Sequence, residues 1–302
     1  MTTAAAAVAR WRDAGTYVDH DGRQVFAIEF GPKDADGPPV LILHGYPTSS
    51  YDWHLVVPAL GTRRRVVLCD YPGFGLSDKP DVRYGIDLYA DSVERVAAAL
   101  GLDEVVLVTH DLGDSVGGEV LARDLDGNLR FSISSRVVTN GSIYMDLAQL
   151  SAGQQSLLAA PDEPVDLAAL GIDPGVAFKA GVAATFAPDH TVGAEEMEAH
   201  WLMASHLDGH KLLARTIRYI EDRRANESRY TGAIEKHPSP LTIIWGELDP
   251  IAVAPMAARL AEARPDAKLH ILNGIGHYPM IEAPDHFGEL LNATVLADGG
   301  NA

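Results

Sequence analysis

The sequence predicts an α/β fold with a mostly parallel, eight-stranded sheet flanked by helices. Three observations predict it. Short runs rich in β-branched residues recur along the chain, segments of one-helix length separate most of them, and one gap is far too long for a loop. At 302 residues and 47% hydrophobic content, the chain can bury a large core.

The strands are expected in the following order. A hairpin over 16–30 supplies the first two, and six further runs supply the rest: 40–44, 65–70, 104–110, 136–140, 241–246 and 268–272. Cys69, the only cysteine, falls in the run 65–70 and reads as a small buried residue. A single cysteine allows no internal disulfide and no cysteine-based zinc site.

The long gap predicts an inserted helical cap that covers the site. Residues 142–236 contain no convincing strand, only Ala/Leu-rich and amphipathic stretches such as 195–205 and 210–224. We therefore divide the chain into a core, 1–141 and 237–302, and a cap segment, 142–236. His206 and His210 lie one turn apart in it, but Gly209 between them and the missing third ligand argue against a metal site, so none is predicted.

Charge and composition exclude several classes of function. The formal charge of −18, from 24 Lys+Arg and 42 Asp+Glu, repels nucleic-acid phosphates and anionic membranes. The N-terminus has no basic segment before its alanines, and no apolar stretch reaches membrane-spanning length. We expect a cytoplasmic protein, a monomer or homodimer, with a frayed end over 297–302.

The run VVLVTHDLG, residues 105–113, ends in the sharp strand-to-helix turn that presents a nucleophile. Asp111 stands at its tip. A carboxylate attacks carbon and leaves an ester on the enzyme, which indicates an electrophile such as an epoxide or alkyl halide. Ser115 also matches G-x-S-x-G, but its register places it a full turn into the following helix, so Asp111 is the predicted nucleophile.

Further segments are expected to meet Asp111 at the same edge of the sheet. His44-Gly45-Tyr46-Pro47 follows a strand and can direct a backbone N–H at the reacting centre, beside that of Leu112. Asp249 follows the next-to-last strand and His277 the last. The chain order of nucleophile, acid and histidine is the order typical of this type of site.

Five motifs carry a family resemblance: HGYPTSSYDW at 44–53, DYPGFGLSDKP at 70–80, HDLGD at 110–114, GELDP at 246–250 and GHYPMIEAP at 276–284. With them the chain resembles the α/β-hydrolase superfamily, and more closely its epoxide hydrolase and haloalkane dehalogenase branch. HGYPTSSYDW and HDLGD are also similar to the mesoderm-specific transcript protein subgroup.

The resemblance implies a cofactor-free reaction in which Asp111 forms the ester, His277 activates the hydrolytic water and Asp249 orients His277. Some relatives hold the acid after the preceding strand, where Asn140 cannot ionise. Asp146 is the substitute acid to be tested.

Two departures from the dehalogenase pattern favour epoxides. Leu112 and Tyr46 stand where those relatives carry side-chain donors for the leaving halide, and Leu112 is expected to form pocket wall only. His44 and Tyr144 are also expected at the pocket. Epoxide opening needs an O–H donor, which the resemblance places on cap tyrosines. Tyr219 is the first candidate, and Tyr144 and Tyr230 are the others.

The expected function is therefore hydrolysis of a small apolar epoxide to a diol. Haloalkane dehalogenation, ester or lactone hydrolysis, and non-catalytic ligand binding stay open.

Overall fold

A computed structural model describes residues 2–297 and contains one eight-stranded sheet, with strand order β1-β2-β4-β3-β5-β6-β7-β8. The pairs β1/β2 and β2/β4 are antiparallel, and the other five are parallel, which confirms the predicted fold class. The strands are β1 Gly15–His20, β2 Arg23–Phe30, β3 Val40–Leu43, β4 Val66–Cys69, β5 Glu104–His110, β6 Ser132–Thr139, β7 Leu241–Gly246 and β8 Lys268–Leu272.

Residues 2–297 also contain thirteen α-helices and three short 3₁₀ helices. The α-helices are α1 Thr3–Ala14, α2 Val57–Leu60, α3 Ile86–Leu100, α4 Leu112–Leu125, α5 Ala152–Ala159, α6 Pro174–Ala183, α7 Ala194–Ser205, α8 Leu213–Thr216, α9 Tyr219–Ala225, α10 Glu227–Lys236, α11 Pro255–Ala263, α12 Pro279–Glu282 and α13 Pro284–Ala297. The 3₁₀ helices are Ser50–Trp53, Ala168–Leu170 and His206–Leu212.

The register of the central strands brings the predicted motifs to one edge. Leu43 of β3 pairs with Cys69 of β4 and with Thr109 of β5, so all three strands end at the same level. The loops that follow them therefore leave from one place, at the carboxyl edge of a parallel sheet, where sites in such folds are built.

Apolar side chains fill the space on both faces of the sheet. Along β5, Val105 and Leu107 belong to one buried cluster, and Val106 and Val108 belong to the other. This alternation follows from the two-residue period of a strand. Full burial of each such side chain stabilises the fold by about 1.5–3 kcal/mol. Cys69 is fully buried, as predicted.

Three local details differ from the expectation. β6 begins at Ser132, before the predicted start at 136, and its pairing with β5 is shifted between Val105 and Val106. The stretch 210–224 is broken into several short helices, preceded by left-handed backbone at Leu207 and Asp208. Helix α1 was not predicted. It packs against α7, and its Ala4 N–H donates to Glu195 at 2.8 Å.

The chain between Thr139 and Leu241 contains helices and no strand. Its last helix, α10, packs against α4, while α7 packs against α1 and the 3₁₀ helix Ser50–Trp53. The limits 142–236 of the cap segment stay a prediction. Within 2–297, no helix is long and apolar enough to cross a membrane. The predicted frayed end lies outside the described residues from 298 onward.

Candidate active site

Asp111 stands at a sharp turn between β5 and α4. Its φ of 52° is in the left-handed region, which is rare for a residue with a side chain and is found mostly at functional sites. A side chain on Gly113 would overlap the carbonyl oxygen of Leu43, and one on Gly45 would meet the Cβ of Asp111. The two glycines therefore allow the loop after β3 to approach the turn closely.

Ser115 lies in the first turn of α4. It is buried, its Oγ has no hydrogen-bond partner, and it is not among the residues lining the cavity described below. The geometry therefore favours Asp111 over Ser115 as the nucleophile.

One backbone donor already faces the Asp111 carboxylate. The N–H of Tyr46 donates to Asp111 Oδ1 at 2.7 Å. Leu112 is the first residue of α4, so its N–H is one that the helix itself does not use. Its side chain is fully buried in the core and does not line the cavity, which corrects its predicted place in the pocket wall.

His44 shapes the same loop from beneath. Its Nδ1 donates to Gly45 O at 2.8 Å, and its Nε2 accepts from the N–H of Tyr71 at 3.3 Å. Burial lowers the pKa of His44, which agrees with the neutral ring that these two bonds require. His44 does not line the cavity, so it supports the donor loop rather than the pocket.

The predicted histidine and acid meet Asp111. His277 Nε2 lies 3.7 Å from Asp111 Oδ2, and His277 Nδ1 lies 2.7 Å from Asp249 Oδ2. The other oxygen of Asp249 accepts from the N–H groups of Ile251 and Ala252 at 2.8 and 2.9 Å. All three side chains are buried. The arrangement can orient the ring, hold a proton on Nδ1 and present Nε2 toward Asp111.

Asn140 has a role that the sequence did not indicate. It directly follows β6, at the position where some relatives hold the acid, and its Nδ2 donates to Asp249 Oδ2 at 2.7 Å. Its Oδ1 accepts from Gly246 N–H at 3.0 Å. The amide therefore supports Asp249. Asp146, the substitute acid, instead pairs with Arg259 at 2.8 Å on the surface.

The charges around His277 favour its protonated form. Burial alone lowers its pKa, but Asp249 and Asp111 together outweigh burial and raise the pKa of His277 to about 9. The neighbouring His110 shows the opposite effect. Burial and the charge of His277 lower the pKa of His110 to about 4, and its Nε2 donates to His277 O at 2.8 Å.

Glu282 fixes the loop that carries His277. Its Oε2 accepts from Gly276 N–H and Ala187 N–H, both at 2.9 Å, and its Oε1 accepts from Tyr278 N–H at 3.1 Å. Ala187 belongs to the cap segment, so one buried carboxylate joins that segment to the histidine loop. The motif GHYPMIEAP contains Glu282, but nothing in its spacing indicates these partners.

A cavity of about 270 Å³ opens onto Asp111 and His277. Asp111 and His277 lie in its wall with Tyr46 and Tyr278, and most other wall residues come from the cap segment. These include Gly153, Leu157, Leu167, Pro174, Ala177, Phe178, Gly181, Val182, His210 and Leu213. Small and apolar side chains dominate, as expected for a pocket that holds an apolar substrate.

The cap tyrosines are not in this wall. Tyr144 donates to Glu235 at 2.9 Å beneath Arg259, which corrects its predicted place in the pocket. Tyr230 lies at the contact of α10 with Gly118 of α4. Tyr219 is buried, and its ring lies 5.7 Å from that of Tyr46. Burial is the main cause that raises the pKa of Tyr219, and the nearby charge of Asp111 raises it further. Tyr219 therefore lies close to Asp111 but does not line the cavity.

Metal coordination has no obvious place in this arrangement. Across residues 2–297, no group of three or more His, Cys, Asp or Glu side chains could hold a metal ion.

Comparison with known proteins identifies the family. A model of the alpha/beta hydrolase family matches residues 40–287, and the chain belongs to that family. It is 40% identical over 283 residues to a protein of Mycobacterium tuberculosis named "Putative hydrolase LipZ", covering 93% of this chain and 96% of that one. It is 30% identical over 296 residues to the mesoderm-specific transcript protein of Mus musculus, covering 92% and 84% of the two chains.

A solved structure of similar shape is a loop variant of the haloalkane dehalogenase DbeA from Bradyrhizobium elkanii. The TM-score is 0.75 at 21% identity, and the match covers 94% of this chain and 97% of that one. At this identity the likeness concerns the fold. The predicted family and fold are thus confirmed, and the protein is a hydrolase of the α/β fold.

Proposed function

We propose that this member of the α/β-hydrolase family uses Asp111 as its nucleophile and hydrolyses small apolar epoxides to diols. The observation that carries the proposal is that the two carboxylate oxygens of Asp111 face different partners. Oδ1 accepts the Tyr46 N–H at 2.7 Å, and Oδ2 faces His277 across 3.7 Å. A backbone donor that already bonds Asp111 can stabilise negative charge that develops on Asp111 Oδ1, and it does so more directly than for the oxygen of a substrate carbonyl.

In the first step Asp111 Oδ2 attacks the less hindered carbon of the ring. A carbon–oxygen bond to Oδ2 forms, the ring carbon–oxygen bond breaks, and the released alkoxide takes a proton from a donor in the site. Asp111 becomes a neutral hydroxyalkyl ester. Oδ1 is now its carbonyl oxygen and keeps the Tyr46 N–H.

Esterification has by then removed the charge of Asp111, one of the causes that keep His277 protonated, so the second step proceeds from the neutral ring. His277 Nε2 accepts a proton from water while the water oxygen adds to Cγ of Asp111. The negative charge that develops on Oδ1 is stabilised by the Tyr46 N–H, and the imidazolium is stabilised by Asp249. The Cγ–Oδ2 bond then breaks, the leaving alkoxide takes the proton from His277, and the diol departs with the original Oδ2. Asp111 is left as a carboxylic acid, and its proton returns to the donor that protonated the alkoxide in the first step, so the carboxylate and the donor are both regenerated. One oxygen of the regenerated carboxylate comes from water.

The leaving group decides between the epoxide and haloalkane alternatives. No tryptophan lines the described cavity, and Leu112 offers no side-chain donor, so an indole N–H for a halide is missing there. Tyr46 and Tyr278 are the tyrosines in the wall. Because the Tyr46 hydroxyl donates to Leu213 O at 3.3 Å, we assign the O–H donor for the opening ring to Tyr278, with Tyr219, the first candidate from the sequence, as the alternative beside Tyr46. The cap segment 142–236 serves in this proposal to enclose an apolar substrate.

The test is isotopic. Wild-type enzyme in excess over a terminal epoxide, in H₂¹⁸O, should incorporate ¹⁸O into the peptide that contains Asp111 during a single turnover. His277→Gln should accumulate the alkylated peptide, because its ester is not hydrolysed. Ser115→Ala is the matched control and should leave the label unchanged. An adduct on Ser115, or a diol produced with no label in Asp111, contradicts the proposal.

A further inference from the structure

The polar side chains that the cap segment contributes to the cavity wall differ in whether they already have a hydrogen-bond partner. Most of them hydrogen-bond within the cap segment itself. Ser151 Oγ accepts from Gln154 N–H and Gln154 Oε1 accepts from Ser151 N–H, at 3.1 and 2.9 Å. Ser156 donates to Ala152 O at 2.9 Å, and Thr185 donates to Val182 O at 2.7 Å. Each of these four side chains therefore has at least one hydrogen-bond partner inside the cap segment.

His210 is the exception. Neither ring nitrogen has a hydrogen-bond partner in the described part of the chain, and Nδ1 is buried. Trp201 covers the ring, with centroids 5.2 Å apart. Nε2 is not buried, so it is the ring nitrogen that a ligand in the cavity can reach.

The position of His210 relative to the nucleophile follows from Tyr46. The Tyr46 N–H bonds Asp111, and its hydroxyl donates to Leu213 O at 3.3 Å. His210 precedes Leu213 by three residues and lines the same cavity. It therefore lies toward the end of the Tyr46 side chain that points away from Asp111, so an apolar stretch of substrate can separate the two.

The charge around His210 favours a neutral ligand. Burial is the main cause that lowers the pKa of His210, so the ring is uncharged at neutral pH. The nearest charged groups are Asp208, Lys211 and Asp166. Lys211 lies 3.3 Å from Asp208 and 3.9 Å from Asp166, so two carboxylates face one ammonium group and the cluster is net negative. It therefore does not attract a carboxylate or phosphate.

We propose that the substrate carries a second, uncharged oxygen function, a hydroxyl or carbonyl, which hydrogen-bonds Nε2 of His210 while the electrophilic carbon lies against Asp111. The inference rests on the proposed function, because it names the class of molecule that the same cavity accepts. That class is a neutral epoxide with an apolar middle and an oxygen at the far end. The remaining cap residues of the wall fit the apolar middle.

Binding of reaction products tests this without turnover. The probes are 1,2-alkanediols of about six to ten carbons, each with and without a hydroxyl on the last carbon, titrated into the whole protein by calorimetry. One hydrogen bond contributes about 0.5–1.5 kcal/mol, so the terminal hydroxyl should tighten binding roughly 2- to 12-fold at the chain length that reaches His210. His210→Phe should abolish this difference, and His210→Gln should retain it. His206→Phe is the control, because His206 does not line the cavity.

Two results overturn the inference. One is the absence of any preference for the terminal hydroxyl in the wild type at every length. The other is a preference that survives in His210→Phe. Both are independent of the ¹⁸O experiment, which judges the nucleophile and the reaction. A labelled Asp111 with no effect at His210 would retain the proposed function and reject this inference.

Discussion

The substitution Asp249→Asn tests the catalytic arrangement most directly, because each carboxylate oxygen has a different task. Oδ1 accepts two backbone N–H groups, from Ile251 and Ala252, and Oδ2 accepts from His277 Nδ1 and Asn140 Nδ2. The two fixed backbone donors hold the amide oxygen of the substituted residue at the Oδ1 position. Its NH₂ group is then directed at two other donors.

His277 can relieve this conflict only by presenting a bare Nδ1, which moves its proton to Nε2. Nε2 is the atom that must accept a proton from water, so the base is lost in that tautomer. Asn140 can rotate its amide, but the N–H of Gly246 then loses its acceptor. One buried group left unpaired costs about 1–3 kcal/mol of unfolding free energy. Loss of the carboxylate in a triad of this kind lowers turnover by about 10⁴.

Quenched-flow kinetics with mass spectrometry of the Asp111 peptide separates the two steps. We expect ester formation to continue and ester hydrolysis to fall by about 10³–10⁴, so that alkylated enzyme accumulates. Asp146→Asn is the matched control, since Asp146 pairs with Arg259 at the surface and should leave both steps unchanged. Near-normal turnover in Asp249→Asn, or loss of activity in the control, would refute the assignment of the acid.

Three further predictions follow from the contacts around the site. The pKa of His277 is raised to about 9 in the folded protein, so His277 stabilises the fold fully below its unfolded pKa of about 6.5, and this contribution is lost as pH rises through 9. Esterification removes the charge of Asp111, one of the causes that raise the pKa of His277, so the ring can become the neutral base that ester hydrolysis needs. Acidic pH keeps the ring protonated, and the ester should therefore accumulate there, as measured by mass spectrometry. Glu282→Gln should lower the unfolding free energy by about 1–3 kcal/mol and reduce kcat, because the new NH₂ group then faces a backbone N–H. Urea unfolding and steady-state kinetics measure the two effects, and Glu247→Gln, at an exposed glutamate that also accepts a backbone N–H, is the control. His200→Leu should destabilise the protein by about 3 kcal/mol in thermal and urea unfolding, because it removes the imidazole 3.4 Å from buried Asp52, and unchanged stability would contradict this.

The sequence predicted the sheet because its evidence is local. Runs of β-branched residues such as 104–110 are bounded by turns and appear at the predicted bounds. The start of β6 was missed because Ser132 to Ser135 carry too little apolar character to stand out. Whether the triad residues act as predicted is for the experiments above. Their meeting at one edge follows from the position of each residue directly after a parallel strand.

Other parts of the site depend on distant contacts that no short window contains. Asn140 and Asp249 are far apart in sequence, as are Asp52 and His200, which lie in the 3₁₀ helix after β3 and in α7. The cap tyrosines show the same limit. A tyrosine in a short helix can face the cavity or the core, and packing decides which. Tyr144 and Tyr230 face away from the cavity. Tyr46 was predicted to contribute its backbone N–H, and it also lines the cavity.

The donor at Tyr46 gives a last prediction about why an aspartate occupies the turn. In Asp111→Ser the carboxylate no longer engages the Tyr46 N–H, so that donor becomes free for the oxygen of a substrate carbonyl. Loss of the Asp111 charge also removes one cause that raises the pKa of His277, which brings the imidazole closer to a neutral base. We expect Asp111→Ser to lose epoxide hydrolysis and to hydrolyse p-nitrophenyl acetate about 10²-fold faster than Asp111→Ala, since both variants free the Tyr46 N–H and only the serine supplies a nucleophile that His277 can activate. Equal ester hydrolysis by the two variants would show that His277 does not activate a nucleophile at position 111.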